Sequence, residues 1–164
     1  FLYLTNWTLL MEAIYLTSYV FLLYYPENIK LQKFVWGVRN IVCSISLVVA
    51  FMYWLLLFDG ETSAVDIHVH LVNALIMLFD MAICRIPLYI KHFYFPFFYS
   101  LIYSLFNGIY VGSGGTNGDG ENWIYGVLKF KPIGPSMVLL ALVVFFVSPL
   151  MFCLSYLISL CQRC

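Results

Sequence analysis

The sequence predicts an all-α integral membrane helical bundle: a single polytopic transmembrane domain over residues 1–164, with five transmembrane helices visible. Three observations predict it. Hydrophobic residues make up 63% of the chain and charged ones only 10%, with a mean hydropathy of +0.93; a water-soluble domain of this length needs far more charge to cover its surface. Five apolar runs fill most of the chain, each near the ~20 residues that cross a bilayer's hydrocarbon core. Turn-forming residues punctuate those runs at Pro26, Asp59-Gly60, Pro87 and the glycine-rich stretch after Val111.

The first helix spans about 1–24 and stops ahead of Pro26. Phe1 opens directly in an apolar run, without a charged segment or small-residue cleavage site before it, which argues against a signal peptide. The second helix covers about 38–58, ended by Asp59-Gly60, and the third about 66–86, ended by Pro87. The fourth covers about 93–111; its Ser100, Ser104, Asn107 and Gly108 form a face suited to close helix packing. The fifth covers about 136–160, with a kink expected at Pro149. The connection at 112–135 begins as a flexible polar loop, GSGGTNGDGEN. Its second half, WIYGVLKFKPIGP, mixes aromatics with Lys129 and Lys131, as suits the headgroup layer. No Lys-Ser/Thr follows the glycines, so they do not form a phosphate loop.

Formal net charge is +0 and no basic block exists, so no nucleic-acid partner is expected; the partners in view are membrane lipids. Lys30, Lys33 and Arg39 of the first connection, Arg85 and Lys91 of the third, and Arg163 of the tail fall on one side, against Lys129 and Lys131 on the other. The positive-inside rule places the first group, and with it the C-terminal tail, in the cytoplasm of a plasma-membrane or endomembrane protein. The first helix then begins on the exterior or lumenal side, and a further helix is expected upstream. Cys43, Cys84 and Cys153 read as small packed residues, and Cys161 with Cys164 as an unmodified tail or an S-palmitoylation site.

Two helices carry polar stripes. Thr5, Thr8, Glu12, Tyr15 and Tyr19 fall within about 80° of arc, and so do Asp66, His70, Asn73, Met77 and Asp80. Polar groups in hydrocarbon turn toward a bundle interior, a partner or a water cavity. The first and third helices run in the same direction, so Thr5 and His70, each near the start of its helix, lie at similar depth. That combination supports nucleophilic acyl transfer: Thr5 attacks a carbonyl, and His70 takes its proton. Asp66, one turn before His70, can orient the imidazole, and Asn6, Asn73 or Tyr15 can supply an oxyanion donor. The structural alternative for Thr5 is a helix cap or an interface hydroxyl. Glu12 and Asp80 lie deeper, as a proton relay or as buried hydrogen-bonded groups; Glu12 can also shape the polar cavity. His68 and His70 point some 200° apart on a helix, so no metal or other cofactor is expected. Asn6-Trp7-Thr8 matches a glycosylation sequon, but its position against the membrane argues against a glycan.

FLYLTNW at 1–7, YWLLLFDG at 53–60, HLVNALIMLFDM at 70–81 and NWIYGVLKFKPIGP at 122–135 resemble the rolling stone-like membrane proteins. They are similar, more distantly, to the androgen-induced-gene family of transmembrane hydrolases. The resemblance implies six helices. It also implies a Thr/His pair that hydrolyses fatty-acid esters of hydroxy fatty acids, with Thr5 in YLTNW matching that family's Thr, His70 its His and Asp80 its acidic residue. Ile67 stands where those hydrolases carry a further His, and the GSGGTNG region replaces a His-rich stretch. The rolling stone branch is associated with myoblast fusion. Three functions follow as expectations: an intramembrane threonine hydrolase of lipid esters, a non-enzymatic protein of cell fusion or membrane interaction, and a transport role through Glu12 and Asp80.

Overall fold

The structure, a computed structural model, describes residues 2–58, 60–84, 86–129 and 133–161. Expectations resting on Asp59, Arg85, Lys131, Arg163 and Cys164 lie outside the described residues. Among the described residues the chain forms five long helices and no strand: α1 (Leu4–Tyr24), α2 (Ile29–Leu57), α3 (Ala64–Ile83), α4 (Tyr94–Gly112) and α5 (Ile133–Cys161). Of these, α1, α2, α3 and α5 are long and apolar enough to cross a membrane. The 19-residue α4 carries Tyr94, Tyr99, Tyr103, Asn107 and Tyr110, which dilute its hydropathy.

The axis of the bundle is α2, which packs against all four other helices. From Val38 to Val49 it is buried on nearly every side, as expected of a helix apolar all round. It begins at Ile29, well before the start near residue 38 that the apolar pattern predicts. Asn28 caps it, its side chain accepting from the Leu31 amide at 3.1 Å, and the polar turn of Lys30 and Lys33 protrudes from the bundle. Arg39 therefore sits inside a helix, only 1% exposed, and is not the loop cation that the orientation argument assumed.

Three helices widen into a π-helical turn: α2 at Tyr53–Leu57, α3 at Ile67–Val72 and α5 at Val143–Val147. Each closes with an amide bonding five residues back: Phe58 to Tyr53, Asn73 to His68 and Ser148 to Val143. In α5 the cause stands next to it. Pro149 lacks an N–H, and its ring presses on the carbonyl four residues earlier, so the disturbance expected there takes the form of a wider turn.

The connection after α4 is held by hydrogen bonds, although its composition reads as flexible. Asn117 Oδ1 accepts from the Asp119 and Glu121 amides at 3.0 and 2.9 Å, and the Tyr110 hydroxyl donates to the Thr116 carbonyl at 2.8 Å. Gly115 rests against the Tyr110 ring, where a Cβ would collide. The following segment buries Ile124 and Leu128 and so folds in over the bundle, leaving Lys129 above the Trp123 ring at 5.1 Å.

Candidate functional site

The three π-helical turns face one cavity of about 70 Å³. Tyr53, His70 and Val143 line it from those turns, Thr5 from α1, Ser100 and Ser104 from α4, and Tyr125 and Leu128 from the loop. Direct packing of α1 on the π-helical turn of α3 makes these helices neighbours, as a joint Thr5/His70 site requires.

Thr5 occupies the first turn of α1 but does not cap it. The N-cap is Tyr3, whose side chain makes no capping bond. The Leu4 amide donates instead to the Tyr125 hydroxyl at 2.8 Å. Thr5 is 8% exposed, and no hydrogen bond engages its hydroxyl among the described residues. Thr8, one turn on, donates to the Leu4 carbonyl at 2.9 Å in the usual manner of a helical threonine.

His70 is held by stacking. Its ring lies 3.8 Å from that of Tyr53, centroid to centroid, with 10° between planes. Its Nδ1 is buried and has no hydrogen-bond partner among the described residues. Asp66 does not orient it by a hydrogen bond. The Asp66 carboxylate accepts from the Ser63 hydroxyl at 2.6 Å and the Ser63 amide at 3.0 Å, and the Asp66 amide donates back to Ser63 Oγ at 3.1 Å. This capping box starts α3, so Asp66 builds the helix that carries His70 and Tyr53 sets the ring's plane. His68 points elsewhere, exposed, with Nδ1 2.7 Å from the Ala64 carbonyl.

The deeper stripe residues divide between two places. Glu12 and Asn73 are buried together between α1 and α3, the Asn73 amide turned so that its nitrogen donates to the Glu12 carboxylate. Neither lines the cavity, and the Asn73 donor is already engaged by Glu12. Tyr15 belongs to a second cluster: its hydroxyl donates to Asp80 Oδ1 at 2.8 Å, while Arg39 Nε reaches Asp80 Oδ2 at 3.0 Å. The same guanidinium donates to the carbonyls of Ile86 at 2.8 Å and Cys84 at 3.2 Å, closing the end of α3. Asp80 is thus a paired carboxylate far from the cavity wall. Cys84 approaches the Tyr19 hydroxyl at 3.6 Å, whereas Cys153 is exposed on the outer face, contrary to its reading as packed.

Among the cavity residues, Tyr53 and Tyr125 escape the sequence reading, and Ser100 and Ser104 enter it only as a packing face. Ser100 Oγ is buried without a partner among the described residues. Tyr103 donates to the Leu2 carbonyl at 2.8 Å, so the 3.2 Å contact between the two tyrosine hydroxyls is donated by Tyr125. Burial pushes the Tyr125 phenol up, which keeps its proton available as a donor. The signal for the serines was present as polar residues on one face of α4, but it reads equally well as close packing. Gly108 breaks that reading, since a Cβ there meets nothing within 4 Å.

A sequence model of the family described as Protein rolling stone matches residues 1–163. The chain belongs to the rolling stone family. It is similar to Protein rolling stone of Drosophila melanogaster, 26% identical over 161 residues, covering 84% of this chain and 58% of that protein. The chain thus spans a little over half the length of this relative. No solved structure matches it. Family and apolar helices together make this rolling stone protein a multi-pass integral membrane protein.

Proposed function

We propose that this rolling stone-family protein is an intramembrane hydrolase of lipid esters, with Thr5 as nucleophile and His70 as general base. One observation supports it above the others. A hydroxyl and an imidazole nitrogen, neither bonded to any described residue, belong to the wall of one cavity. Such a pair can divide the reaction into two easier steps. His70 takes the Thr5 proton as Oγ attacks the ester carbonyl, and Tyr125 or Ser100 donates to the developing oxyanion. The alcohol oxygen leaves with the proton from His70, giving an acyl-Thr5. Water, deprotonated by His70, then attacks the acyl carbon; the fatty acid departs and the proton returns to Thr5 Oγ.

The test is turnover of fatty-acid esters of hydroxy fatty acids by the protein in lipid nanodiscs. Thr5→Ala and His70→Ala should each lower it by about 10²–10⁴-fold, since nucleophile and base act as a unit. A phosphonate probe should label Thr5. Equal turnover in all three proteins removes the mechanism. A second reading, a non-enzymatic role in cell fusion or membrane interaction, is favoured by Ile67, which replaces a histidine of the hydrolase pattern. No turnover by the wild type across a broad ester panel would select it.

The orientation reading carries over in reduced form. Arg39 is removed from it, and Lys30, Lys33 and Lys91 remain to place the α1–α2 and α3–α4 connections, and so the tail, in the cytoplasm. Impermeant labelling of Cys161 from outside intact cells should fail; ready labelling reverses the topology.

A further inference from the structure

A second space lies beside the first. Between α4 and α5 runs an open groove of about 700 Å³, with Gly108, Gly112, Met137 and Phe145 along it. Ser104 and Leu140 belong to both walls, facing the groove on one side and the Thr5/His70 cavity on the other. The π-helical turn of α5 makes the same partition, with Val143 on the cavity and Val144 and Phe145 on the groove. The sizes are complementary. A cavity of about 70 Å³ accommodates a carbonyl and the few atoms around it, while the groove offers about 700 Å³.

We propose that the groove holds one acyl chain of a membrane lipid, which enters sideways from the bilayer and delivers its ester past Ser104 and Leu140 to Thr5 and His70. The delivery step rests on the hydrolase reading; chain binding does not. One wall of the groove is α5, a helix long and apolar enough to cross a membrane, so on that side acyl chains are the surrounding solvent. The glycines deepen it: a Cβ at Gly108 or Gly112 meets nothing within 4 Å, so neither glycine is in close contact with a neighbouring helix. A second transmembrane helix is the rival occupant, because small residues four apart favour helix pairing. A single chain fits, and only a chain gives the shared wall with the catalytic cavity a use.

The experiment places the protein in phosphatidylcholine nanodiscs containing a phosphatidylcholine with a mid-chain diazirine. After irradiation, labelled peptides are mapped by mass spectrometry. Label should concentrate on the groove faces of α4 and α5 relative to the exposed face of α1 at Phe21 and Leu23. Gly108→Phe, whose ring has open space to occupy, should lower the groove label and the ratio of long-chain to short-chain ester turnover by about tenfold each. Leu23→Phe should leave that ratio unchanged. Even labelling of all lipid-facing helices overturns the proposal, and so does a crosslink between protein copies in place of lipid label. Concentrated label on a wild type that turns over no ester upholds the chain site and removes the hydrolase reading instead.

Discussion

Two of the bundle's polar clusters differ in whether their groups are satisfied. Around Asp80, each polar group has a partner: Tyr15 and Arg39 take its two oxygens, and the rest of the guanidinium serves the carbonyls of Cys84 and Ile86. Around the cavity, the buried His70 Nδ1 and Ser100 Oγ have no partner among the described residues. A buried polar group left unbonded costs about 1–3 kcal/mol, so the fold retains these two at one cavity wall only against that cost. The contrast sets a scaffold cluster against the proposed site. The first cluster uses its polarity to hold α2 to α3, whereas the second keeps unbonded groups at a cavity wall.

The largest effect should come from the scaffold. Asp80→Asn leaves the Arg39 guanidinium buried without its counter-charge, and breaking such a pair costs about 3–5 kcal/mol. Thr5→Ala removes a hydroxyl that bonds nothing described, and its stability should stay within about 1 kcal/mol of wild type. Thermal unfolding of both variants in detergent, read beside ester turnover, crosses the comparison: one should lose stability, the other activity. A Thr5→Ala protein as unstable as Asp80→Asn would make the cavity hydroxyl structural and erase the distinction.

The sequence made parts of this legible and hid others for physical reasons. Helical periodicity exposed both stripes, because lone polar residues stand out in an apolar run. It also located the junction of α1 with α3, since two stripes in hydrocarbon must face something. It did not expose Arg39. A cation near the edge of an apolar run counts naturally as a loop residue, and its partner Asp80 is 41 residues away. A lone Asp deep in one helix and a lone Arg in another were the available hint, and pairing them needs the fold. Tyr53 was invisible for a related reason. Its stacking on His70 depends on π-helical turns in two helices, and a π-helical turn leaves no mark in a 3.6-residue pattern. Tyr125 lay in a segment whose aromatics and lysines match the headgroup layer, so its burial over Leu4 could not be read from composition.

An intermediate effect belongs to that tyrosine, which stands between the two classes. Its oxygen accepts from the Leu4 amide while its own proton goes only to the long contact with Tyr103. Tyr125→Phe removes the acceptor and leaves a buried amide unpaired, a cost of about 1–3 kcal/mol, and it also removes one oxyanion donor. Unfolding temperature and turnover should therefore both fall. A variant that loses activity at unchanged stability would place Tyr125 with the site alone.

The smallest effect is the sharpest test of the contrast. Ser100 is buried at 3% exposure, lines the cavity, and has an Oγ with no partner among the described residues. For a hydroxyl already paying its desolvation without a bond in return, truncation to alanine removes an unfavourable group and almost no volume. Ser100→Ala should therefore unfold within about 0.5 kcal/mol of wild type, or slightly above it. Ser155 is the internal control: its hydroxyl bonds the Cys43 carbonyl at 3.1 Å and the Met151 carbonyl at 2.9 Å, tying α5 to α2. Ser155→Ala should cost about 1 kcal/mol or more, the usual net loss for a buried hydrogen bond. Chemical denaturation of the two variants side by side decides the matter. Equal losses would mean that Ser100 is satisfied in solution, and the cavity would then be no less saturated than the Asp80 cluster.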